Sequence, residues 1–373
     1  MLNSAANSVL SQELDSSSSP QDMSGTPDYE RTELASAINR ATEFLSVRQL
    51  PTGGFPVEMT TYSDGIPVVE PDEALFAAAH VVYSLGFVQS TIAKSMITKA
   101  LSYFQAEMTG RGVWRHWNKS STRGSRRLFP FIPADLDDMS NISFLLTRHG
   151  IKFPDNRTLF LNNRDRNGLY YTWLMLRPKI SLSPTYLMTV LSEFNIPRFT
   201  IFWKVTEAGY LDVDGVVNAN VLLYLGDGKE TAPVVDWLTE VVRNGSEAKC
   251  DKWYRDIFTF HYALSRTHGG GRKPFDHLSE FIVQRLIATA GPDGVLGENV
   301  LHTALAANTF MNFCSQPSQL AAAIKAIISQ QSEDGSWPSA PYYYGGPLKV
   351  AHWGSRELTT ALCVEALVRY ARL

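Results

Sequence analysis

The sequence predicts an all-α fold of helical hairpins that stack side by side and close into a ring. The first observation is a repeated turn: FLSVRQLPTGGF (44–55) and AIISQQSEDGSW (326–337) share one spacing of Gln, Gly and an aromatic residue. The second is the helical pattern between turns, as in DEALFAAAHVVYSLGF and ELTTALCVEALVRYAR. Hairpins of this kind bury one face against each neighbour, and closing them into a ring leaves no exposed end unit.

The repeated turns follow one another along the chain. The first and last copies place Gln49 and Gln331 four residues before a glycine. A looser copy lies in LSYFQAEMTGRGVW, and the degenerate copies keep only a turn at Gly168 and Gly294. Glycine after a helix is by itself an ordinary helix end, but two copies with the same spacing favour a repeat. We expect the Gln to bridge backbone groups and the aromatic ring to pack over the turn, which is a structural role.

One helical domain is predicted over residues 29–373, after a disordered leader over residues 1–28. The leader is rich in serine and lacks the basic start and apolar stretch of a secretory signal. The 373-residue chain is 44% hydrophobic, which is enough to bury a large core. No run of about 18 apolar residues occurs, so no membrane-spanning helix is expected.

Charge and cysteine content narrow the class of protein. A formal net charge of -3 gives no basic bias, so nucleic acid is not an expected partner. The three cysteines lie far apart without a CxxC pair, which fits the reducing cytoplasm better than a disulfide scaffold. Cys363, inside TTALCVEAL, is typical of a small buried hydrophobic residue.

The stretch FIPADLDDMSN (131–141) places the carboxyl groups of Asp135, Asp137 and Asp138 at the start of an amphipathic helix. Carboxylates crowded into an apolar pocket cannot all ionise, so one of them is driven to keep its proton. Two structural alternatives compete with this interpretation. Asp138 or Ser140 is a candidate helix N-cap, with the acidic run favouring the positive helix end. Carboxylates are also ligands for a metal ion.

The repeated turns and the acidic stretch resemble the QW repeats and the DxDD motif of squalene–hopene and oxidosqualene cyclases, the class II terpene cyclases. Residues 135–138 match DxDD and precede three of the turns, as in the catalytic barrel of that family. VVNANVLLYLG (216–226) is similar to the family helix that presents a polar partner to the catalytic acid. By that pattern Asn220 is the partner and Asn218 lies beside it.

The resemblance covers residues 30–373 and leaves room for one α-barrel, as in monodomain meroterpenoid cyclases of the merosterolic-acid-synthase type. It implies an (α/α)6 toroid in which Asp137 protonates an alkene, Asp135 and Asp138 are its hydrogen-bonding partners, and Asn220 directs the proton. It also implies a geranylgeranylated hydroxybenzoate as substrate and a fused polycyclic meroterpenoid as product. No cofactor is implied, and magnesium enters only if the substrate is a diphosphate.

A carbocation needs a dry cavity whose aromatic faces stabilise its charge. Trp173 is the first candidate for such a wall, because its offset from DxDD resembles that of a cavity aromatic in the cyclases. We expect fewer than half of the aromatic candidates, Trp173 among them, to line a pocket. The other candidates for substrate binding are Asn218, Trp114, Trp117, Tyr170, Trp337, Tyr342, Tyr343 and Tyr344. The sequence identifies neither a base nor a water that ends the reaction.

For two sets of basic residues, three arginines and the isolated histidines, we expect no catalytic role. Arg123, Arg126 and Arg127, just before the acidic stretch, are typical of a solvated loop. The alternative for them is contact with a carboxylate or diphosphate head group. The isolated histidines, His116 among them, are interpreted as core or surface residues.

Two alternative functions stay open. A class II cyclase of a prenyl diphosphate, of the drimenyl or copalyl type, would use the same acid and differ at the head-group site. A non-catalytic helical scaffold that binds a lipid or a protein would use no acid. A lipophilic substrate also predicts transient peripheral contact with a membrane, whereas the oligomeric state is not predicted.

Overall fold

The computed structural model describes residues 28–119, 132–177, 183–193, 200, 202–204, 206, 208–269, 272–345 and 351–373. Residues 1–27 of the predicted leader and the basic residues Arg123, Arg126 and Arg127 lie outside the described residues. In chain order the described helices are α1 Asp28–Arg48, α2 Leu75–Leu85, α3 Thr91–Glu107, α4 Leu136–Arg148, α5 Arg157–Asn162, α6 Pro184–Glu193, α7 Gly215–Leu225, α8 Ala232–Arg243, α9 Ile257–Ser265, α10 Ser279–Ile287, α11 Val300–Asn312, α12 Ser318–Ser329 and α13 Arg356–Tyr370. The described strands are β1 Val57–Ser63, β2 Ile66–Asp72, β3 Tyr343–Gly345 and β4 Ala351–Gly354.

An inner ring is formed, within the described residues, by the six helices α2, α4, α7, α9, α11 and α13. Each helix packs against the next, and α13 packs back against α2, so the ring is closed. Nearly every residue of α2, α7, α9, α11 and α13 is buried. Helices that contact neighbours on all sides need no polar face, which explains apolar runs such as LFAAAHVVYSL.

Outer helices pack on this ring and carry the amphipathic pattern. Helices α1 and α12 contact α13, α3 contacts α2, α8 contacts α7, and α10 contacts α11. In α8 the buried residues include Val234, Leu238, Val241 and Val242, a helical spacing that places one apolar face inward. This alternation of inner and outer helices is the hairpin arrangement that the repeats predict.

The Gln-containing turns connect neighbouring units. The Nε2 amide of Gln49 donates to the carbonyl of Gly53 in its own turn at 3.0 Å and to that of Met96 in α3 at 2.9 Å. Gln331 does the same at the last turn, donating at 2.9 Å to its own turn and to the carbonyl of Ala37 in α1. The predicted bridging role of these two side chains is confirmed.

The aromatic residues of the turns are buried against the end of the preceding helix. The indole Nε1 of Trp337 donates to the carbonyl of Ile327 at 2.6 Å, ten residues earlier. Trp114 repeats this contact with the carbonyl of Phe104 at 2.8 Å. The looser copy departs at Gln105, which is exposed, so its aromatic anchor is retained without the same burial of the Gln.

Glycine is required at these turns by backbone conformation and by close packing. The turn glycines Gly53, Gly112, Gly168, Gly294 and Gly335 all have positive φ. At Gly335, φ is 86° and an added Cβ would lie 2.4 Å from the carbonyl oxygen of Arg40 in α1. A side chain there would force the last turn away from the first outer helix.

A four-stranded antiparallel sheet, in the order β2-β1-β4-β3, accompanies the helices. Met59 pairs with Trp353, and Trp353 pairs in turn with Tyr343. The prediction of a purely all-α fold is therefore wrong. The missed signal is Asp64-Gly65 between Thr- and Val-rich runs, a two-residue hairpin turn in which both residues have positive φ.

No helix within the described residues is long and apolar enough to cross a membrane.

Candidate active site

A cavity opens at the N-terminal ends of inner helices α2, α4 and α7, beside the segment that precedes α9. Its volume is about 650 Å³ with the mouth included. Aromatic rings and one acidic region face it, which provides a mainly apolar chamber with few polar groups. The described lining residues are Phe76, His116, Ile132, Asp135, Asp137, Asp138, Thr172, Trp173, Phe202, Thr206, Val217, Trp253, Tyr254, Tyr343, Tyr344, Gly345 and Trp353.

Asp137 lies in the first turn of α4 and lines the cavity. Its Oδ1 accepts a hydrogen bond from Nδ2 of Asn220 at 2.6 Å, and its Oδ2 accepts one from the hydroxyl of Tyr254 at 2.6 Å. These partners lie 83 and 117 residues further along the chain, in α7 and just before α9. Three units of the ring therefore converge on one carboxyl group.

Asp135 is the N-cap of α4, because its Oδ1 accepts the backbone N–H of Asp138 at 2.8 Å. The alternative that Asp138 or Ser140 caps this helix is wrong, since α4 begins at Leu136, ahead of both. The hydroxyl of Ser140 instead donates to the carbonyl of Leu136 within the helix. The capping function and the candidate acid thus belong to different aspartates.

Burial raises the pKa of all three carboxyl groups. The pKa of Asp135 rises to about 7, through burial and then the charge of Asp137. Asp138 is 1% exposed, and burial with the charges of Asp135 and Asp137 raises its pKa well above the ordinary value. Burial also raises the pKa of Asp137, while hydrogen bonds from Tyr254 and Asn220 lower it. Burial thus opposes the positive N-terminal end of α4, which favours ionisation.

A buried cation, Arg266, lies behind the candidate acid Asp137. Arg266, 4% exposed, donates from Nη2 to Oδ1 of Asn141 at 2.9 Å, and its Nη1 lies 3.1 Å from Nε2 of His80. Its Cζ lies 4.2 Å from the ring centre of Tyr83. Asn141 in turn places its Nδ2 3.3 Å from Oδ1 of Asp137. The charge of Arg266 acts to lower the pKa of Asp137 and so stabilises its carboxylate form.

Three of the predicted aromatic residues, Trp173, Tyr343 and Tyr344, line the cavity. Trp173 packs edge-on against Trp253 at a centroid distance of 5.5 Å. The sequence reasoning missed Trp253, Tyr254, Trp353, Phe76, Phe202 and His116 as lining residues. Trp253 and Tyr254 lie three and two residues before Asp256, the N-cap of α9, in a segment that carries none of the motifs.

The indole N–H groups of three lining tryptophans are each held by a buried carboxyl group. A buried indole N–H needs an acceptor, so its partner fixes the ring orientation. The Nε1–Oδ2 distances are 3.3 Å for Trp173 with Asp212, 3.2 Å for Trp253 with Asp214 and 3.1 Å for Trp353 with Asp72.

The remaining candidates for substrate binding lie outside the described lining of the cavity; they are Trp114, Trp117, Tyr170, Trp337, Tyr342 and Asn218. Tyr170 donates its hydroxyl to the carbonyl of Glu230 at 3.1 Å, and Trp117 donates its Nε1 to Asp72 at 3.1 Å. Asn218 exchanges two hydrogen bonds of 2.9 Å with the backbone of Tyr170. These contacts hold Trp117 against the end of β2, Tyr170 against the turn before α8, and Asn218 of α7 against the backbone of Tyr170.

No group of three or more His, Cys, Asp or Glu in the described part of the chain is arranged to hold a metal ion.

Comparison with known proteins identifies solved structures with the same fold. No family model and no curated protein matches the sequence. Type II terpene cyclase MstE from Scytonema matches with a TM-score of 0.63 and 16% identity, over 92% of this chain and all of that chain. The chain has the fold of the terpene cyclases.

Two further structures share that fold. A protein from Actinoplanes matches with a TM-score of 0.64 and 17% identity, over 91% of this chain and all of that one. ent-Copalyl diphosphate synthase from Streptomyces platensis matches with a TM-score of 0.50 and 17% identity, over 80% of this chain and half of that one. MstE variants have been solved in complex with the substrate geranylgeranyl dihydroxybenzoate and with the product merosterolic acid A.

Proposed function

We propose that the chain is a class II terpene cyclase, which protonates a linear polyprenylated substrate and folds it into a fused polycyclic meroterpenoid. The observation that carries this proposal is the carboxyl group of Asp137, which lines an aromatic cavity and contacts Asn220 and Tyr254 at 2.6 Å each. Substrate and product would have the same formula, so the reaction class is an isomerisation by intramolecular ring closure.

The acid needs two properties that ordinarily exclude each other. It must hold its proton at neutral pH, and burial, which raises the pKa of Asp137, favours that protonated state. It must also release the proton to a weakly basic alkene carbon. Asn220 and Tyr254 donate to the carboxylate as it forms, so they stabilise the charge that develops in the transition state.

The cavity then serves the cation. Once the alkene has taken the proton, positive charge moves along the prenyl chain as each ring closes. The faces of Phe76, Trp173, Trp253 and Trp353 stabilise such charge without offering a nucleophile. The same wall holds the chain folded, so that each ring closure is intramolecular.

A geranylgeranylated hydroxybenzoate is the substrate class that we infer. The support is the full-length match to MstE, whose complexes contain geranylgeranyl dihydroxybenzoate and merosterolic acid A. The alternative substrate is a prenyl diphosphate, which the match to ent-copalyl diphosphate synthase favours. In either case we infer that Asp137 is the acid, and only the head-group site would differ.

Product analysis of an isosteric variant tests the proposal. The wild type and Asp137→Asn are incubated separately with geranylgeranyl dihydroxybenzoate, farnesyl diphosphate and squalene, with and without magnesium, and the products are identified by mass spectrometry. We expect the wild type to cyclise the first compound without magnesium, and the variant to bind it without turnover. The matched control is Asp236→Asn, on the exposed face of α8, which should retain activity.

Each outcome has a distinct meaning. Magnesium-dependent turnover of the diphosphate alone would establish the alternative substrate class. Normal product from a folded Asp137→Asn variant would refute Asp137 as the acid. Binding of all three lipids without any product from the wild type would indicate the non-catalytic scaffold.

A further inference from the structure

A cyclisation that starts with a proton must also lose one. If the proposed function holds, the last carbocation gives up a proton from a neighbouring carbon or from a substrate hydroxyl that has closed on it. The group that accepts this proton must line the cavity. It must also lie away from the acid, because a base beside Asp137 would take the first proton before the alkene could.

His116 satisfies the first requirement, since it lines the same cavity as Asp137. Its backbone carbonyl accepts the N–H of Leu75 at 3.0 Å, which fixes the segment against the start of α2. Its Nε2 lies 3.5 Å from the hydroxyl of Tyr343. That distance is long for a hydrogen bond, as is common for catalytic pairs without substrate.

A row of aromatic rings separates His116 from the acid. Tyr254, which contacts Asp137, lies 6.3 Å from Phe76 between ring centroids. Phe76 lies 5.2 Å from Tyr343, and Tyr343 lies 5.6 Å from His116. All these residues line the cavity. Three successive ring contacts therefore connect the tyrosine beside the proton donor to the imidazole along the cavity lining, a path that a folded prenyl chain would follow.

The surroundings of His116 suit a ring that becomes positively charged. Trp117 and Trp353 pack edge-on against it, at centroid distances of 5.5 and 5.8 Å. Both indoles donate to Oδ2 of Asp72 at 3.1 Å, so a carboxylate stands behind the two rings that contact the imidazole. A carboxylate held near a ring that accepts a proton stabilises the positive charge that forms.

We propose that His116, with the hydroxyl of Tyr343 as relay, is the base that ends the cyclisation. The C–H bond beside the final cation breaks, and its electron pair forms the product alkene. The released proton passes to the Tyr343 oxygen while the Tyr343 hydroxyl proton passes to Nε2 of His116. The proton gained from Asp137 and the proton lost to His116 balance, which leaves an isomer of the substrate.

The test separates initiation from termination. His116→Phe and Tyr343→Phe keep an aromatic ring at each position, and both are assayed with geranylgeranyl dihydroxybenzoate in D2O. We expect substrate consumption and deuterium uptake at the protonated carbon to persist. Formation of the wild-type product should fall by about 100-fold. Alkene isomers or water adducts, identified by mass spectrometry and NMR, should replace it.

The matched control is His352→Phe, the same change on β4 outside the described lining of the cavity. It should give the wild-type product. A folded His116→Phe or Tyr343→Phe variant with the wild-type product at the wild-type rate overturns the assignment of the base. A wild type that cyclises none of the substrate overturns the proposed function and this inference together. Thermal unfolding of each variant identifies any that fail to fold.

Discussion

Removal of the Tyr254 hydroxyl is the most direct probe of how hydrogen bonds set the pKa of Asp137, the proposed acid. In the wild type this hydroxyl donates to Oδ2 of Asp137 at 2.6 Å and lowers the pKa of that carboxyl group. The ring of Tyr254 is buried and contacts Phe76. The Tyr254→Phe variant therefore keeps the packing and removes one donor from the carboxylate.

The expected magnitude follows from the change in charge during proton transfer. A hydrogen bond to a charged group contributes about 1.5–3 kcal/mol and one between neutral groups about 0.5–1.5 kcal/mol. The difference that reaches the barrier is about 1–2 kcal/mol, which lowers kcat roughly 5- to 30-fold. Because the donor lowers the pKa of Asp137, its removal raises that pKa. In the proposed mechanism the active form is protonated, so the high-pH limit of activity should move upward while the maximal rate falls.

The assay is kcat as a function of pH for the wild type, Tyr254→Phe and Tyr342→Phe. Tyr342 is a neighbouring buried tyrosine outside the described cavity lining, with its ring centroid 6.2 Å from that of Tyr254. Loss of its hydroxyl should leave both rate and profile near those of the wild type. An unchanged kcat for Tyr254→Phe, or a high-pH limit that moves downward, would refute this account of the acid.

Two predictions concern stability. Gly335→Ala should lower the free energy of unfolding by more than about 3 kcal/mol, because the added Cβ would lie 2.4 Å from the Arg40 carbonyl oxygen and the backbone would be strained as well. Gly65 also has positive φ but open space around it, so Gly65→Ala should lower that free energy by only about 1–2 kcal/mol in the same denaturation experiment. The pKa of Asp135 is about 7 in the folded protein, against an ordinary value of 3.8. Its contribution to the free energy of unfolding is therefore complete below about pH 3.8 and is lost as the pH rises through 7. Asp135→Asn cannot ionise and remains a good N-cap; its Tm relative to the wild type should rise over that range, and parallel Tm curves would contradict the prediction.

The fold could be predicted where one short-range spacing recurs. Gln49 and Gln331 each donate to the carbonyl of a glycine four residues later and to one carbonyl of an adjacent helix. The contacts of each turn can therefore be predicted from its own short motif. The sheet could not be read in the same way. Strands β3 and β4 have three and four residues, which is too short to show an alternation of apolar and polar residues. Strand β1 pairs with β4, which lies near the other end of the sequence.

The site could be predicted only in part, because its members come from distant units. Asp137 and Asn220 stand in motifs, whereas Tyr254 contacts the acid from a segment without one. The aromatic residues fall into two groups, those that anchor the turns and those that line the cavity. Trp114 and Trp337 belong to turns and donate to a carbonyl ten residues earlier. Phe76, Tyr254 and Trp353 reach the cavity from within three residues of the start of an inner helix, whereas Trp173 reaches it from a loop and Tyr343 and Tyr344 from β3.

The carboxyl groups behind the tryptophans bear on the carbocation chemistry of the proposed reaction. A carboxylate inside the cavity would stabilise a carbocation strongly, but its oxygen would also react with it. Asp72 and Asp212 avoid this conflict, since each accepts an indole N–H and leaves the aromatic ring between its charge and the chamber. The pKa of Asp214 rises to about 6, chiefly through burial, so it remains largely ionised at neutral pH behind Trp253. In the proposed reaction the rings would separate the carboxyl oxygens from the cation, present a π face to it and supply each buried carboxyl group with an N–H donor, whereas aliphatic side chains offer neither the π face nor the donor.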